Sequence, residues 1–303
     1  MYLNQKKIVV LLTIFIFFII GISQEALSKQ KTPEKGVAGQ VLASSLGMKF
    51  VYITPGTFTM GSSPNEKGRD EDENQHQVSL TRGFYMQTTE VTVGQWRVFV
   101  RDTGFKTDAE TKGNAWIWID RAQQLRKGYY WDNPGFPQSD SHPVTCVTWS
   151  DTQAFIKWLN EKEGKTYRLP AEAEWEYACR AGSTARFNWG NRPDCSKANY
   201  GNGWSKECKG RNPMGTTKAG SFEPNPWGLY DMLGNVWEHC QDWYGAYPSG
   251  SATDPKGLTA GSKRSVRGGS WVNYSRYIRS ATRAWNGPRN PYANLGFRLV
   301  REP

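Results

Sequence analysis

The sequence predicts a single α+β domain, rich in ordered loops and with little regular secondary structure. Three observations carry that reading. Among 303 residues stand 14 Trp, 14 Tyr, 31 Gly and 16 Pro, so aromatic rings set in loops, more than long amphipathic helices, supply the buried area. Only three stretches keep a helical apolar period, and the strand-like runs are short. No internal repeat and no shift of composition divides the chain, and its apolar content suffices for one core of its own.

Residues 1–28 stand apart. Lys6 and Lys7 precede an apolar run over residues 8–22, and Ala26-Leu27-Ser28 then offers the small residues a signal peptidase needs. This is the pattern of a secretory signal, with a retained membrane anchor as the second reading. No Cys follows the run, which argues against a lipid anchor. Residues 29–47, rich in Lys, Gln, Ser and Gly, read as a flexible tether, which places the domain at 48–303.

Within it, Phe50-Val51-Tyr52-Ile53 and Gly56-Thr57-Phe58-Thr59-Met60 read as strands about a Pro55-Gly56 turn, followed by a charged surface loop over residues 65–77. Phe84-Tyr85-Met86 is a further strand, and Thr92 caps a helix whose Trp96, Phe99 and Val100 share one face. A second helix is expected from Ser150 to before Gly164, burying Ala154, Phe155, Trp158 and Leu159. A third is expected between Pro170 and Gly182. Residues 107–142 hold three Trp and two adjacent Tyr in no clear period, as in a functional loop or a decoration pinned by aromatic rings. Beyond Gly182, short apolar stretches between Gly, Asn, Pro and Asp suit small sheets joined by ordered loops.

Export implies an oxidising compartment, where five Cys allow at most two bridges. Cys195 and Cys208 flank a short Gly- and Asn-rich loop and are the expected pair, while Cys146, Cys179 and Cys240 read as buried small apolar side chains. The formal charge is +10, and loss of Lys6, Lys7 and Glu25 with residues 1–28 leaves +9. These charges are scattered among acids and no helix carries a basic stripe. That argues against a dedicated nucleic-acid surface and leaves weak attraction to envelope polyanions.

Chemistry-bearing motifs cluster late in the chain. Gly228-Leu229-Tyr230-Asp231-Met232-Leu233-Gly234-Asn235-Val236-Trp237-Glu238 brackets a glycine turn with two carboxylates, a hard-oxygen set that suits calcium, the plainer reading being a turn capped by Asp231. Arg267-Gly268-Gly269-Ser270-Trp271 and Asn294-Leu295-Gly296-Phe297-Arg298 follow. Upstream lies Arg168-Leu169-Pro170-Ala171-Glu172-Ala173-Glu174-Trp175, a helix entry with acids in the first turn. His76, His142 and His239 are the only histidines, none at a metal-binding spacing. Ser270 has no evident base beside it.

In this order the motifs resemble the formylglycine-generating enzymes, or sulfatase-modifying factors, over roughly residues 48–302. That family's fold is a much-decorated relative of the C-type lectin domain. The resemblance implies a structural calcium held by Asp231, main-chain oxygens of Gly234 and Val236, and Glu238. It also implies a second calcium loop opening at Asn199 and Tyr200, whose later acidic ligand is missing: Lys209-Gly210-Arg211-Asn212-Pro213 offers only Asn212. In the family, two cysteines after the Gly-Gly-Ser-Trp segment bind copper and engage a substrate cysteine, which oxygen converts to an aldehyde. Here that segment reads Asn273-Tyr274-Ser275-Arg276, without the thiolates that select Cu(I), so copper is not expected.

What remains there, Ser270, Trp271, Asn273, Tyr274, Arg276, Tyr277, Arg279 and Arg283, with Trp131 and Trp237, has the character of a binding pocket. The alternative is that the arginines tie loops to carboxylates. The sequence thus points to an exported protein, periplasmic or extracellular, acting as a calcium-stabilised binding or assembly module for a peptide, protein or glycan of the cell envelope. The rival readings are an oxidoreductase of the same superfamily that matures a secreted small molecule or protein, and a structural subunit of an envelope complex.

Overall fold

Residues 36–120, 122–202, 207–208 and 214–303 are described by the computed structural model. The expected signal segment and the start of the tether lie outside them. In chain order the strands are β1 Val41–Ala43, β2 Lys49–Ile53, β3 Gly56–Met60, β4 His76–Leu80, β5 Phe84–Gln87, β6 Asn114–Ile119, β7 Ala122–Lys127, β8 Tyr167–Arg168, β9 Trp237–Trp243, β10 Ala252–Thr253, β11 Arg264–Arg267, β12 Arg283–Asn286, β13 Leu295–Gly296 and β14 Val300–Arg301. The helices are α1 Val93–Thr103, α2 Asp108–Lys112, α3 Trp149–Glu163 and α4 Glu172–Arg180.

A five-stranded sheet in the order β1-β2-β5-β14-β8 brings the two ends of the domain together. Its strands alternate between two cores: Val51, Ile53 and Met86 join Trp175, Leu229 and Met232 on one side, whereas Phe50, Tyr52 and Tyr85 join Trp96, Phe155 and Phe297 on the other. This is the period of two expected of a strand buried on both faces. Trp96 stacks on Phe155 at 5.5 Å and meets Phe297 edge-on. Each such fully buried ring stabilises the fold by roughly 2–3 kcal/mol before entropy is counted.

Helix boundaries follow side-chain chemistry. Thr92, Thr107 and Thr148 each accept the backbone N–H three residues on, while Gln95, Glu110 and Asp151 reach back to close capping boxes. Gly104, Gly113 and Gly164 end these helices in the left-handed region. The second expected helix therefore begins one residue earlier than Ser150, with Thr148 as its cap. Ala171 at the entry of α4 has no side-chain oxygen to offer. Asp242, at the far end of β9, supplies one instead, its Oδ2 accepting the Glu172 N–H at 2.8 Å.

Three expectations are corrected. The tether does not extend to residue 47, because Val41, Leu42 and Ala43 pair with Val51, Phe50 and Lys49 as an edge strand. Residues 107–142 are not wholly irregular: they contain α2 and a six-residue hairpin pairing of β6 with β7. The charged loop over 65–77 is not all surface either, since Glu73 is fully buried and His76 opens β4. Among the described residues no helix is long and apolar enough to cross a membrane.

A four-stranded sheet, β12-β11-β9-β13, sets up the region of interest. Parallel pairing of Leu295 with Trp237 and Gly296 with Glu238 carries Arg298 to the start of β9, next to the Asp231–Glu238 turn.

Candidate functional site

The Asp231–Glu238 segment winds through three left-handed residues, Asp231 (φ 51°), Gly234 (φ 83°) and Asn235 (φ 55°). Only Gly234 has no substitute, because a Cβ there would stand 2.5 Å from the Asn199 carbonyl oxygen. The turn is tied to its neighbours through the backbone: Asn235 N–H donates to the Asn199 carbonyl, Gly234 N–H to Gly268, and Trp271 N–H to Asn235.

Its carboxylates have different fates. Glu238 accepts both Nε and Nη2 of Arg298, at 2.7 and 2.6 Å, and Trp175 Nε1 at 2.7 Å. Asp231 Oδ2 accepts the Gly220 N–H at 2.6 Å. Glu90, which sequence reasoning did not nominate, lies in the same cluster. Its Oε1 accepts Asn235 Nδ2 at 2.9 Å, whereas its Oε2 is buried with no partner. Burial first, then the Asp231 and Glu238 charges, push the Glu90 carboxyl well above the carboxylate range. Burial pushes Asp231 up to about 6. Glu90 and Asp231 thus share one guanidinium with Glu238 and are driven toward their neutral forms, and a divalent cation beside them would favour the ionised forms instead.

Among the described residues no three His, Cys, Asp or Glu side chains form a metal-holding group. A calcium ion here would accordingly rest on two carboxylates, Glu90 and Asp231, together with the main-chain oxygens of Gly234 and Val236. Glu238 is drawn away to Arg298. The second loop differs. Asn199 Oδ1 accepts Asn202 Nδ2 at 3.0 Å, its Nδ2 donates to the Gly215 carbonyl, and its own carbonyl takes the Asn235 N–H. Asn199 is thus a crosslink between loops through both its side-chain and main-chain oxygens, and Tyr200 is buried beside it. Asn212 lies outside the described residues. Cys195 and Cys208 form a disulfide with their Cα atoms 5.6 Å apart.

The Gly-Gly-Ser-Trp segment is built for rigidity. Gly269 sits at φ 71°, where a Cβ would come within 2.6 Å of the Tyr277 carbonyl oxygen. Ser270 donates from N–H and Oγ to Asn273 Oδ1, at 3.0 and 2.6 Å, and Asn294 Nδ2 donates to Ser270 Oγ at 3.0 Å. Asn273 thereby closes the turn within the Asn273-Tyr274 stretch, where the resemblance expects the first cysteine. Trp271 is buried edge-on against Phe136.

The eight residues expected to line one pocket are not brought together in one. Arg279 is wholly buried, its Nη1 and Nη2 on Glu73 at 2.8 and 2.5 Å and Nη1 also on Glu66 at 2.7 Å. Arg283 binds Glu172 through Nε and Nη2 and lies over the Tyr247 ring. The physical reason is desolvation: a guanidinium this deep needs paired carboxylates, so these arginines are internal ties. Trp131 is buried as well. Tyr274, Arg276 and the partly covered Tyr277 remain at the surface, with Arg276 on Asp70 at 2.8 Å. Arg186 joins them, since Gly68 lies against both Arg276 and the Arg186 Nη2. It makes no ion pair among the described residues, and its Nε has no hydrogen-bond partner. Burial, then the Arg279 charge, lowers its pKa. Nothing local in the sequence marks Arg186 as different from any other loop arginine.

No thiolate is at hand. Burial pushes the Cys146 and Cys179 thiols up to about 12 and Cys240 well upward too. Burial holds His239 down at about 4, so its imidazole is neutral.

Residues 40–303 match the model of the Sulfatase-modifying factor enzyme 1-like domain. The chain is 34% identical over 286 residues to the formylglycine-generating enzyme of Mus musculus, covering 84% of this chain and 75% of that one. It is 31% identical over 295 residues to the formylglycine-generating enzyme of Thermomonospora curvata, covering 84% and 93%. Its structure superposes on that of PvdO from Pseudomonas aeruginosa with a TM-score of 0.74 at 28% identity, over 90% of this chain and all of the other.

Proposed function

The chain belongs to the sulfatase-modifying factor family, and from that premise we propose that it is an exported, calcium-stabilised binding module that does not generate formylglycine and engages an acidic peptide segment of the cell envelope. The observation that carries this reading is Asn273. Where the family's oxidation needs a thiolate, an amide oxygen is locked onto both donors of Ser270, and the three free cysteines are buried with thiols held protonated.

The surface beside that turn has binding character. Tyr274 is 37 % exposed, Arg276 is held by a single exposed ion pair, and Arg186, near the Glu66 and Glu207 charges, makes no close ion pair among the described residues. An exposed tyrosine and two guanidinium groups on one surface, Arg276 and Arg186 meeting at Gly68, favour a carboxylate-bearing peptide, through bidentate hydrogen bonds and stacking. Calcium would act at a distance from it. Held by Glu90, Asp231 and the Gly234 and Val236 oxygens, it would supply the positive charge that Arg298 alone does not. Export is supported by the Cys195–Cys208 disulfide, which an oxidising compartment maintains.

The direct test is activity. A Cys-x-Pro-x-Arg peptide incubated with the protein, copper and oxygen should keep its mass. Conversion of its cysteine to an aldehyde would overturn the proposal.

A further inference from the structure

A cleft of about 470 Å³ lies at the entry of α4 and shares none of its lining residues with the site described above. Its size falls at the small end of the roughly 300–1,000 Å³ typical of small-molecule sites. Asp242 lines it and is only 4 % exposed. One oxygen, Oδ2, caps α4, and the other, Oδ1, receives no hydrogen bond among the described residues. Gln241 beside it donates its backbone N–H to the Pro170 carbonyl, while its side-chain amide is uncommitted. Oδ1 is not among the buried atoms that lack a partner, so it keeps access to solvent, and a donor entering the cleft can reach it.

Arg82 and Lys256, both exposed, also line the cleft. Neither forms a close ion pair among the described residues, although both charges act on Asp254, which also accepts the Thr81 N–H and Oγ1 at 2.8 and 2.5 Å. Phe84 contributes an apolar wall. One cavity thus offers a buried carboxylate with one oxygen open to the cleft and two exposed cations at its surface that make no close ion pair. A polyanion would be repelled by Asp242, and a metal ion would find one free carboxylate where it needs several. A ligand with a positive and a negative end satisfies both.

We propose that this cleft binds a free α-amino acid, its ammonium on Asp242 Oδ1 and its carboxylate on Arg82 and Lys256. The site is independent of the peptide-binding surface.

Isothermal titration calorimetry of the full chain against each common amino acid, and against its N-acetyl and C-amide derivatives, tests this. At least one free amino acid should bind, and blocking either end should weaken it about tenfold, the effect of losing one charge-assisted contact. Asp242→Asn keeps an acceptor for the Glu172 N–H and should weaken binding similarly. The double substitution Arg82→Ala with Lys256→Ala, at exposed positions, should do the same with the melting temperature unchanged. Absence of binding by every amino acid, binding of the blocked forms at full strength, or binding that survives both variants would overturn the proposal.

Discussion

At the scale of single residues, the arginines decide most. Arg267, Arg279 and Arg298 are each fully buried, and each is met by at least one carboxylate. Replacing one partner leaves the other charged and buried, so Arg279→Ala should cost about 3–5 kcal/mol in urea unfolding, against about 0–1 kcal/mol for the exposed Arg276→Ala. Glu172 extends the argument to pH. Burial pushes its carboxyl up, but Arg283 and Arg267 outweigh that and hold it down at about 2, below an ordinary 4.5. Its stabilisation is therefore complete above about pH 4.5 and is lost as the pH falls through about 2. Urea midpoints measured from pH 5 to pH 2.5 should fall less steeply in Glu172→Gln than in the unsubstituted protein. These roles were not legible in the sequence. Arg279 and Glu73 are 206 residues apart, and an arginine facing inward is spelled like one facing solvent.

Elements were easier to read. Thr92 and Thr148, followed three residues later by Gln95 and Asp151, announce two helices locally, and Gly104 and Gly164 announce where they end. What escaped was short or non-local: a three-residue strand whose partner lies six to ten residues on, and a hairpin hidden among aromatic residues. The entry of α4 joins both kinds of information. Ala171 breaks the local capping pattern, and Asp242, from a strand some 70 residues later, restores it. Ala171→Ser should supply a local cap and raise stability by about 0.5–1 kcal/mol in thermal or urea unfolding. At the Gly-Gly-Ser-Trp turn the backbone itself is the constraint. Gly269→Ala, which places a Cβ within 2.6 Å of both Tyr277 O and Ile278 Cγ2, should lower the yield of folded protein measured by circular dichroism.

For the whole molecule, the Glu90–Asp231–Glu238–Arg298 cluster links segments from both ends of the domain to the central turn. Calcium bound there as proposed would be a folding ligand. Calcium at a hundredfold excess over its dissociation constant should add about 2.7 kcal/mol of stability. Glu90→Gln with Asp231→Asn should abolish that gain in calorimetric melting. The family scaffold was legible from a few glycine-centred motifs, since they hold turns that no other residues can. The absence of cysteines from Asn273-Tyr274-Ser275-Arg276 was legible too. Where the ligand-facing surface lies was not, because that depends on which arginines the interior consumes. Metal content tests the central claim most directly. Plasma mass spectrometry of the purified protein should find stoichiometric calcium and no copper. Stoichiometric copper would mean that a redox centre assembles here and would contradict a binding module built on an emptied thiol site.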